Sequence, residues 1–114
     1  MKTGSCHCGA VQFTVDGEPD QALECNCSHC ARKGFLLWFV PRQALDVSAG
    51  GESMSTYTFN THAIQHRFCP TCGCQPFGMG KGPEGAEMAA INLRCLEGLD
   101  LDAVERVPVN GRER

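Results

Sequence analysis

The sequence predicts a mainly β protein, and three observations lead to that fold class. Several segments of four to six residues alternate apolar and polar side chains, which is the period of a half-buried strand. Turn-forming residues separate these segments, as in "DGEP" at 16–19. The chain has 114 residues, the length of one domain with a modest core. We therefore expect a single mainly β domain spanning residues 1–114, with one or two short helical turns.

Local patterns define the individual elements. "AVQFTV" at 10–15 places three apolar side chains on one face of a strand. Ser28 is suited to cap a short helix through Lys33, and Gly34 is suited to end it. "FLLWFV" at 35–40 predicts a strand buried on both faces and stopped by the next residue, a proline. We expect strands at 10–15, around 22–25, at 35–40, at 55–59 and at 87–96, helical turns at 28–33 and near 99–103, a turn at 46–51 and a mobile loop at 75–85.

Composition and charge exclude several classes of function. Hydrophobic residues make up 42% of the chain and charged residues 20%, as in ordinary globular proteins. The longest apolar run, "GFLLWFV", is far shorter than the roughly 18 residues of a membrane span. A net charge of −3 provides no field that attracts nucleic acid or an anionic membrane. We expect neither as a partner, and the sequence leaves the oligomeric state unknown.

The cysteine content indicates the chemistry. The first ten residues, "MKTGSCHCGA", lack the apolar stretch of a secretory signal, so we expect a cytoplasmic protein. Thiols stay reduced in the cytoplasm, where nine cysteines, an odd number, favour metal binding or thiol chemistry over disulfides. Seven of the nine lie in three dense groups: the first is "CHC" at 6–8, the second is "CPTC" at 69–72, and the third is "CNCSHC" at 25–30.

Two of these groups together predict a structural zinc site. In "CPTCG" two residues separate the cysteines, which lets both sulfurs reach one ion, and Gly73 leaves room for backbone amides near the thiolates. "CHC" supplies the second half of a four-thiolate shell. A closed shell has no open position for substrate, so its binding energy contributes to folding. The alternative, a redox pair, lacks the βαβ pattern that such pairs accompany. The predicted ligands are Cys6, Cys8, Cys69 and Cys72.

The third group predicts a different kind of site. Cys25, Cys27 and Cys30 provide three thiolates from one segment, one fewer than a closed tetrahedral zinc needs. Three protein ligands and a position for water or substrate are typical of a catalytic zinc. A fourth ligand from elsewhere stays open at this point, with Cys74 the main candidate, while Cys95 is interpreted as a small buried thiol in a strand. The four histidines are interpreted as polar or supporting residues.

These motifs resemble one known family, that of glutathione-dependent formaldehyde-activating enzymes and centromere protein V. The resemblance is carried by "GSCHCGAV" at 4–11, "CNCSHC" at 25–30, "FCPTCG" at 68–73 and "INLRCLEGLDLD" at 91–102. It implies folded antiparallel sheets, a structural zinc on the four cysteines above and a catalytic zinc on Cys25, Cys27 and Cys30. It also implies glutathione and formaldehyde as substrates, condensed to S-hydroxymethylglutathione by a carbon–sulfur lyase.

Substrate contacts follow from the chemistry of glutathione, which carries two carboxylates. Arg32 and Lys33 directly follow the third cysteine group and are candidate partners for them, and Arg67 and Arg94 are further candidates. Plain solvated charges are an equal interpretation for each. Trp38 and Phe39 are interpreted as core, with a pocket wall as the alternative. The alternative functions are a non-catalytic zinc-binding module for partner interaction and a thiol redox protein that uses Cys74 or Cys95.

Overall fold

Two β-sheets form most of the molecule, whose computed structural model describes residues 1–59 and 62–113. The small sheet has the strand order β1-β2-β5, and the large sheet has the order β10-β3-β4-β9-β8-β7-β6. The strands are β1 Lys2–Ser5, β2 Gln12–Val15, β3 Gln21–Cys25, β4 Leu37–Pro41, β5 Leu45–Ala49, β6 Ser55–Tyr57, β7 Gln65–Phe68, β8 Phe77–Lys81, β9 Glu87–Asn92 and β10 Glu105–Val109.

The mainly β class is confirmed, and the sheets are antiparallel with one exception. Strand β10 pairs in parallel with β3, so that Val109 lies opposite Cys25. Neither β1, β7 nor β10 is among the strands expected from the sequence. The parallel pairing has a direct consequence for the site, because it brings the end of the chain beside the third cysteine group.

The helical elements are short, as expected. Helix α1 spans Ser28–Lys33, and 3-10 turns include Leu101–Ala103, close to the predicted second turn. The predicted cap is wrong by one residue: Cys27 caps α1, because its sulfur accepts the N–H of Cys30 at 3.3 Å. Gly34 ends the helix as predicted, with φ of 68°, a conformation that glycine adopts without strain. Among the helices of the described residues, none has the length and apolarity needed to span a membrane.

Three local predictions are wrong. The predicted turn at 46–51 is mostly β5, and the predicted mobile loop at 75–85 contains β8, which pairs with both β7 and β9. In "FGMGK" the side chains of Phe77 and Met79 alternate with glycines, so the segment fits a strand whose second face has no side chains. Cys95 lies in a 3-10 turn, Leu93–Cys95, rather than in a strand.

Strand β4 is not buried on both faces, since the side chain of Phe39 is 48% exposed. The strand also continues through Pro41 instead of stopping before it.

The core lies where the two sheets face each other. Phe13 of β2 and Phe77 of β8 are fully buried and meet edge to face, with ring centroids 5.5 Å apart. Burying one such side chain contributes about 1.5–3 kcal/mol, and the ring contact adds about 0.5–1.5 kcal/mol. Cys6 and Cys69 belong to the same buried cluster, so the groups "CHC" and "CPTC" sit at the edge of the core.

The opposite face of the large sheet carries a second row of residues. In a sheet, two residues that are paired directly across neighbouring strands point to the same face. The strand register makes one such row of five residues, each paired with the next: Phe39, Ala90, Gly78, His66 and Tyr57. The row therefore crosses five strands, from β4 to β6. Its small central side chains leave a depression between the aromatic groups at either end.

Candidate metal centres and substrate pocket

The structure brings together the four cysteines predicted as one site. The sulfurs of Cys6, Cys8, Cys69 and Cys72 all lie within 4.8 Å of one another. Cys8 is exposed and its sulfur lies 3.7 Å from that of Cys6 and 3.6 Å from that of Cys69. Cys6 and Cys69 are almost completely buried. The first cysteine pair follows β1 and the second follows β7, so the cluster joins the two sheets.

Backbone amides surround these sulfurs. The N–H of Val11 donates to the Cys6 sulfur at 3.3 Å. Amides of Cys74 and then Cys8 lower the pKa of Cys72 to about 6, and the amide of Cys72 is the main cause that lowers the pKa of Cys69. Gly73 has φ of 77°, which allows the turn that aims these amides inward. Such a cradle stabilises thiolates.

The thiol of Cys8 behaves oppositely. The amide of Ala10 is the strongest single influence and lowers its pKa, but the thiols of Cys69, Cys6 and Cys72 together with burial outweigh it and raise the pKa to about 11. The ionisation of each of these thiols therefore affects the pKa of its neighbours. A bound cation would stabilise all four of them as thiolates.

The geometry of this four-thiol cluster fits a tetrahedral metal. A metal–sulfur distance of about 2.3 Å gives tetrahedron edges of about 3.8 Å. The observed sulfur separations of 3.6 and 3.7 Å are close to that length. Thiolate donors select zinc or another soft cation over magnesium or calcium. The cluster can therefore hold such an ion with all four positions filled by protein.

The second thiol cluster, called the triad here, comprises Cys25, Cys27 and Cys30, whose sulfurs also lie within 4.8 Å of one another. Cys25 ends β3, Cys27 caps α1 and Cys30 lies in its first turn. Burial alone would raise the pKa of Cys27, but the Cys30 amide and the neighbouring thiols lower it on balance. Burial, with the adjacent Cys27, raises the pKa of Cys30. The donor set again suits a soft cation.

The candidates for a fourth triad ligand lie elsewhere. The sulfur of Cys74 is 3.5 Å from that of Cys95, and neither joins the triad. Burial, then the neighbouring Cys74 thiol, raises the pKa of Cys95. Within residues 1–59 and 62–113 no histidine, cysteine or carboxylate makes a fourth member of the triad group. These three cysteines would therefore leave room for one ligand from outside on a tetrahedral ion.

The segment 109–112 packs directly against the triad, a contact that no sequence motif predicted. The amide of Asn26 donates to Val109, its side chain donates to Asn110 at 2.9 Å, and its side-chain oxygen accepts from the Arg112 amide at 2.9 Å. Gly111 lies so close to Cys25 that a β-carbon at this position would overlap the sulfur. The "NG" pair at 110–111 is a signal for a tight turn, but the neighbouring sequence does not indicate which residues that turn contacts.

The triad opens into a cavity of about 280 Å³, called the triad cavity. A second and larger pocket of about 730 Å³ lies beside it, and both are lined by Phe59 and Gln75. Arg32 and Lys33 line the second pocket rather than the triad cavity, and we call it the cationic pocket. The predicted substrate cations are therefore next to the triad site and not inside it.

The other residues considered for substrate contact have different places. Arg67 donates to the Gly51 carbonyl, and Arg94 donates to the Gly34 carbonyl. Neither lines the triad cavity or the cationic pocket. Trp38 packs against the core as interpreted, whereas Phe39 lines the triad cavity.

Aromatic rings separate the triad cavity from the cationic pocket. The ring of His29 lies 4.2 Å from that of His66 and between 5.2 and 5.6 Å from those of Phe35, Tyr57 and Phe59. Burial, with smaller contributions from His29 and Lys33, lowers the pKa of His66 to about 4. Burial and then Lys33 also lower the pKa of His29. His66 is therefore neutral at pH 7, and its Nδ1 lies 3.4 Å from the Gln75 amide nitrogen.

Comparison with known proteins relates this arrangement to one family. The chain is similar to a protein of Rhodobacter sphaeroides of known crystal structure, with 34% identity and a TM-score of 0.78. The match covers 93% of this chain and 97% of that one. The sequence model described as "Glutathione-dependent formaldehyde-activating enzyme" matches residues 1–106, which include both thiol clusters. The chain therefore belongs to the family of glutathione-dependent formaldehyde-activating enzymes.

Proposed function

We propose that this protein is a zinc-dependent carbon–sulfur lyase that condenses glutathione, or a related thiol, with formaldehyde and cleaves the adduct in reverse. Family membership relates it to glutathione and formaldehyde. The observation that carries the proposal is the triad. Its three sulfurs lie within 4.8 Å of one another, no histidine, cysteine or carboxylate of the described residues joins them, and they open into a cavity beside a cationic pocket.

The two thiol clusters have different roles in this proposal. Cys6, Cys8, Cys69 and Cys72 hold a structural zinc, which supports folding because the shell is closed and links distant segments. The triad holds the catalytic zinc. The reducing cytoplasm suits both clusters, because oxidation of any of these thiols removes a ligand.

The cationic pocket suits the carboxylates of the thiol substrate. Arg32 and Lys33 provide two positive charges, and Phe59 and Gln75 are shared with the triad cavity. A glutathione molecule that reaches across this shared wall places its carboxylates near the cations and its sulfur near the triad. Charge-assisted hydrogen bonds of this kind are about twice as strong as neutral ones.

The reaction needs a thiolate and a carbonyl carbon held together. Cys25, Cys27 and Cys30 would hold the zinc ion, whose positive charge would stabilise the thiolate form of a substrate thiol over the thiol form. The sulfur–carbon bond forms as the π pair of the carbonyl moves to oxygen, which takes up a proton in place of the one that the thiol has lost. No oxidant or reductant is required.

Residues of the cavity assist in two ways. The apolar walls exclude water, which strengthens electrostatic interactions at the reacting atoms. Neutral His66, with Nδ1 accepting from Gln75, carries its proton on the other ring nitrogen and can donate a hydrogen bond from that nitrogen to the carbonyl oxygen, where negative charge develops.

Exchange NMR tests the proposal, with glutathione plus formaldehyde in equilibrium with their adduct. Reduced, zinc-loaded protein is expected to accelerate the exchange, and Cys27→Ser is expected to lose at least 100-fold of the acceleration. Cys74→Ser is the matched control, because Cys74 contacts Cys95 and not the triad. Native protein without any acceleration would remove this activity and leave the partner-interaction module as the better reading.

A further inference from the structure

The walls of the triad cavity do not match the proposed carbon substrate. Eight of its fifteen lining residues are apolar side chains other than cysteine, among them Leu37, Phe39, Ile64, Ala90 and Val109. No charged side chain of the described residues lines it. Formaldehyde has no hydrocarbon substituent, so it gains nothing from such walls.

The size of the cavity leads to the same mismatch. Its volume is about 280 Å³. A dry apolar cavity of about 150 Å³ holds benzene, and one water molecule takes about 30 Å³ of liquid. Formaldehyde has only two non-hydrogen atoms, so even beside the sulfur of the thiol it would leave much of the space to water, which apolar walls disfavour.

Exposed apolar side chains are concentrated at this site. The large hydrophobic residues with high exposure in the described chain are Met1, Phe39, Tyr57 and Ile64. Phe39 and Ile64, which are 48% and 50% exposed, line the triad cavity, and Tyr57 lines the cationic pocket. Apolar surface that gathers at a concave site is typical of ligand binding.

We propose that the carbon substrate is an aldehyde with an apolar substituent of several carbons, and that this substituent occupies the triad cavity. The inference rests on the proposed function: it keeps the thiol, the triad and the bond that forms, and it makes a larger aldehyde the preferred carbon substrate over formaldehyde. The two pockets then bind different parts of one adduct. The cationic pocket binds the carboxylates of the thiol, and the triad cavity binds the hydrocarbon of the aldehyde.

The bond changes are those of any hemithioacetal. The sulfur bonds to the aldehyde carbon, the π pair moves to the aldehyde oxygen, and that oxygen gains a proton while the thiol loses one. The product is RS–CH(OH)R′, in which R′ is the apolar substituent. Each methylene that becomes buried contributes about fourfold to the specificity constant.

Exchange NMR with glutathione tests this assignment by comparing pentanal with formaldehyde. The measured quantity is the acceleration over the uncatalysed reaction for each free aldehyde. We expect the acceleration to be at least tenfold greater for pentanal. Ala90→Leu fills the cavity and is expected to reduce this ratio at least tenfold. Phe39→Ser, at a half-exposed position, is a second variant expected to reduce the ratio, should the first fail to fold.

Val107→Ala is the matched control, because Val107 lies two residues before Val109 on β10 but does not line the cavity. It is expected to leave both accelerations unchanged. An acceleration for formaldehyde equal to or greater than that for pentanal, with a ratio unaltered by either cavity variant, would overturn the inference and leave the proposed function standing. Absence of acceleration with both aldehydes would overturn the two together.

Discussion

Replacing Cys8 by serine separates a metal ligand from an ordinary surface thiol. Cys8 is exposed, and surface substitutions away from special features usually change stability by less than about 0.5 kcal/mol. Its sulfur nevertheless lies 3.6 Å from that of Cys69, a residue 61 positions away. If both sulfurs bind one ion, the exposed side chain closes a long loop of the chain. Its loss then lowers the free energy of unfolding of the whole domain.

The size of the effect follows from that loop. Closing a loop of 61 residues is worth about 4 kcal/mol of chain entropy in the cross-link model. Cys6 remains in the variant and retains part of the link between the same segments. With about 3–6 °C of melting temperature for each kcal/mol in a chain of this length, we expect Cys8→Ser to lower the Tm by about 10 °C.

Thermal unfolding followed by circular dichroism measures this change in zinc-loaded, reduced protein. His7→Ser is the control, since His7 is exposed, adjacent and outside the cluster, and its Tm is expected to stay within about 2 °C of native. A Tm of Cys8→Ser equally close to native would refute a metal link through Cys8. A large difference in Tm between Cys8→Ser and native protein that persists in an excess of chelator would refute it as well, because no metal is then bound.

Three further outcomes are expected. A double variant, Arg32→Ala with Lys33→Ala, should raise the KM for glutathione about tenfold and leave that for 2-mercaptoethanol unchanged, because the latter has no carboxylate. His66 has a pKa of about 4 in the folded protein against 6.5 in the unfolded chain, so its contribution to stability is present above pH 6.5 and is lost as the pH falls towards 4. Urea unfolding at several pH values should therefore show a smaller fall in the free energy of unfolding for His66→Gln than for native protein over this range. Gly111→Ala should displace the Cys25 sulfur and slow exchange at least tenfold, whereas Gly80→Ala, where a β-carbon meets only ordinary contacts, should not. An unchanged KM ratio, an unaltered pH slope or equal rates in the two glycine variants would contradict these expectations in turn.

The elements that were predicted correctly are those whose cause is local. Alternation in "AVQFTV" depends on neighbouring residues only, and the structure has β2 there. Gly34 ends α1 because its left-handed conformation is a property of the residue itself. Strand β8 was not predicted because Gly and Pro normally signal a loop. In this sheet Gly78 lies between His66 and Ala90 in the row that forms the depression, where a missing side chain leaves space.

The same distinction applies to the site. The thiol groups within one segment could be recognised from spacing, since sulfurs two or three residues apart can reach a common ion. "CHC" could be joined to "CPTC" because two thiolates fill only half of a tetrahedral shell. The cavity could not be inferred, because Phe39, Ala90 and His66 come together only through the register of separate strands. The approach of Gly111 to the triad depends on the parallel pairing of β10 with β3, for which the sequence carries no local signal.

The central claim is that one thiol cluster holds the fold and the other performs the chemistry. The exchange rate of glutathione and formaldehyde with their adduct, measured as zinc is added to reduced, metal-stripped protein, tests it most directly. Four thiolates bind zinc more tightly than three, so the first equivalent is expected to complete folding without accelerating exchange, and acceleration is expected to appear with the second. Full acceleration without zinc, or with the first equivalent in step with folding, would contradict the division of roles.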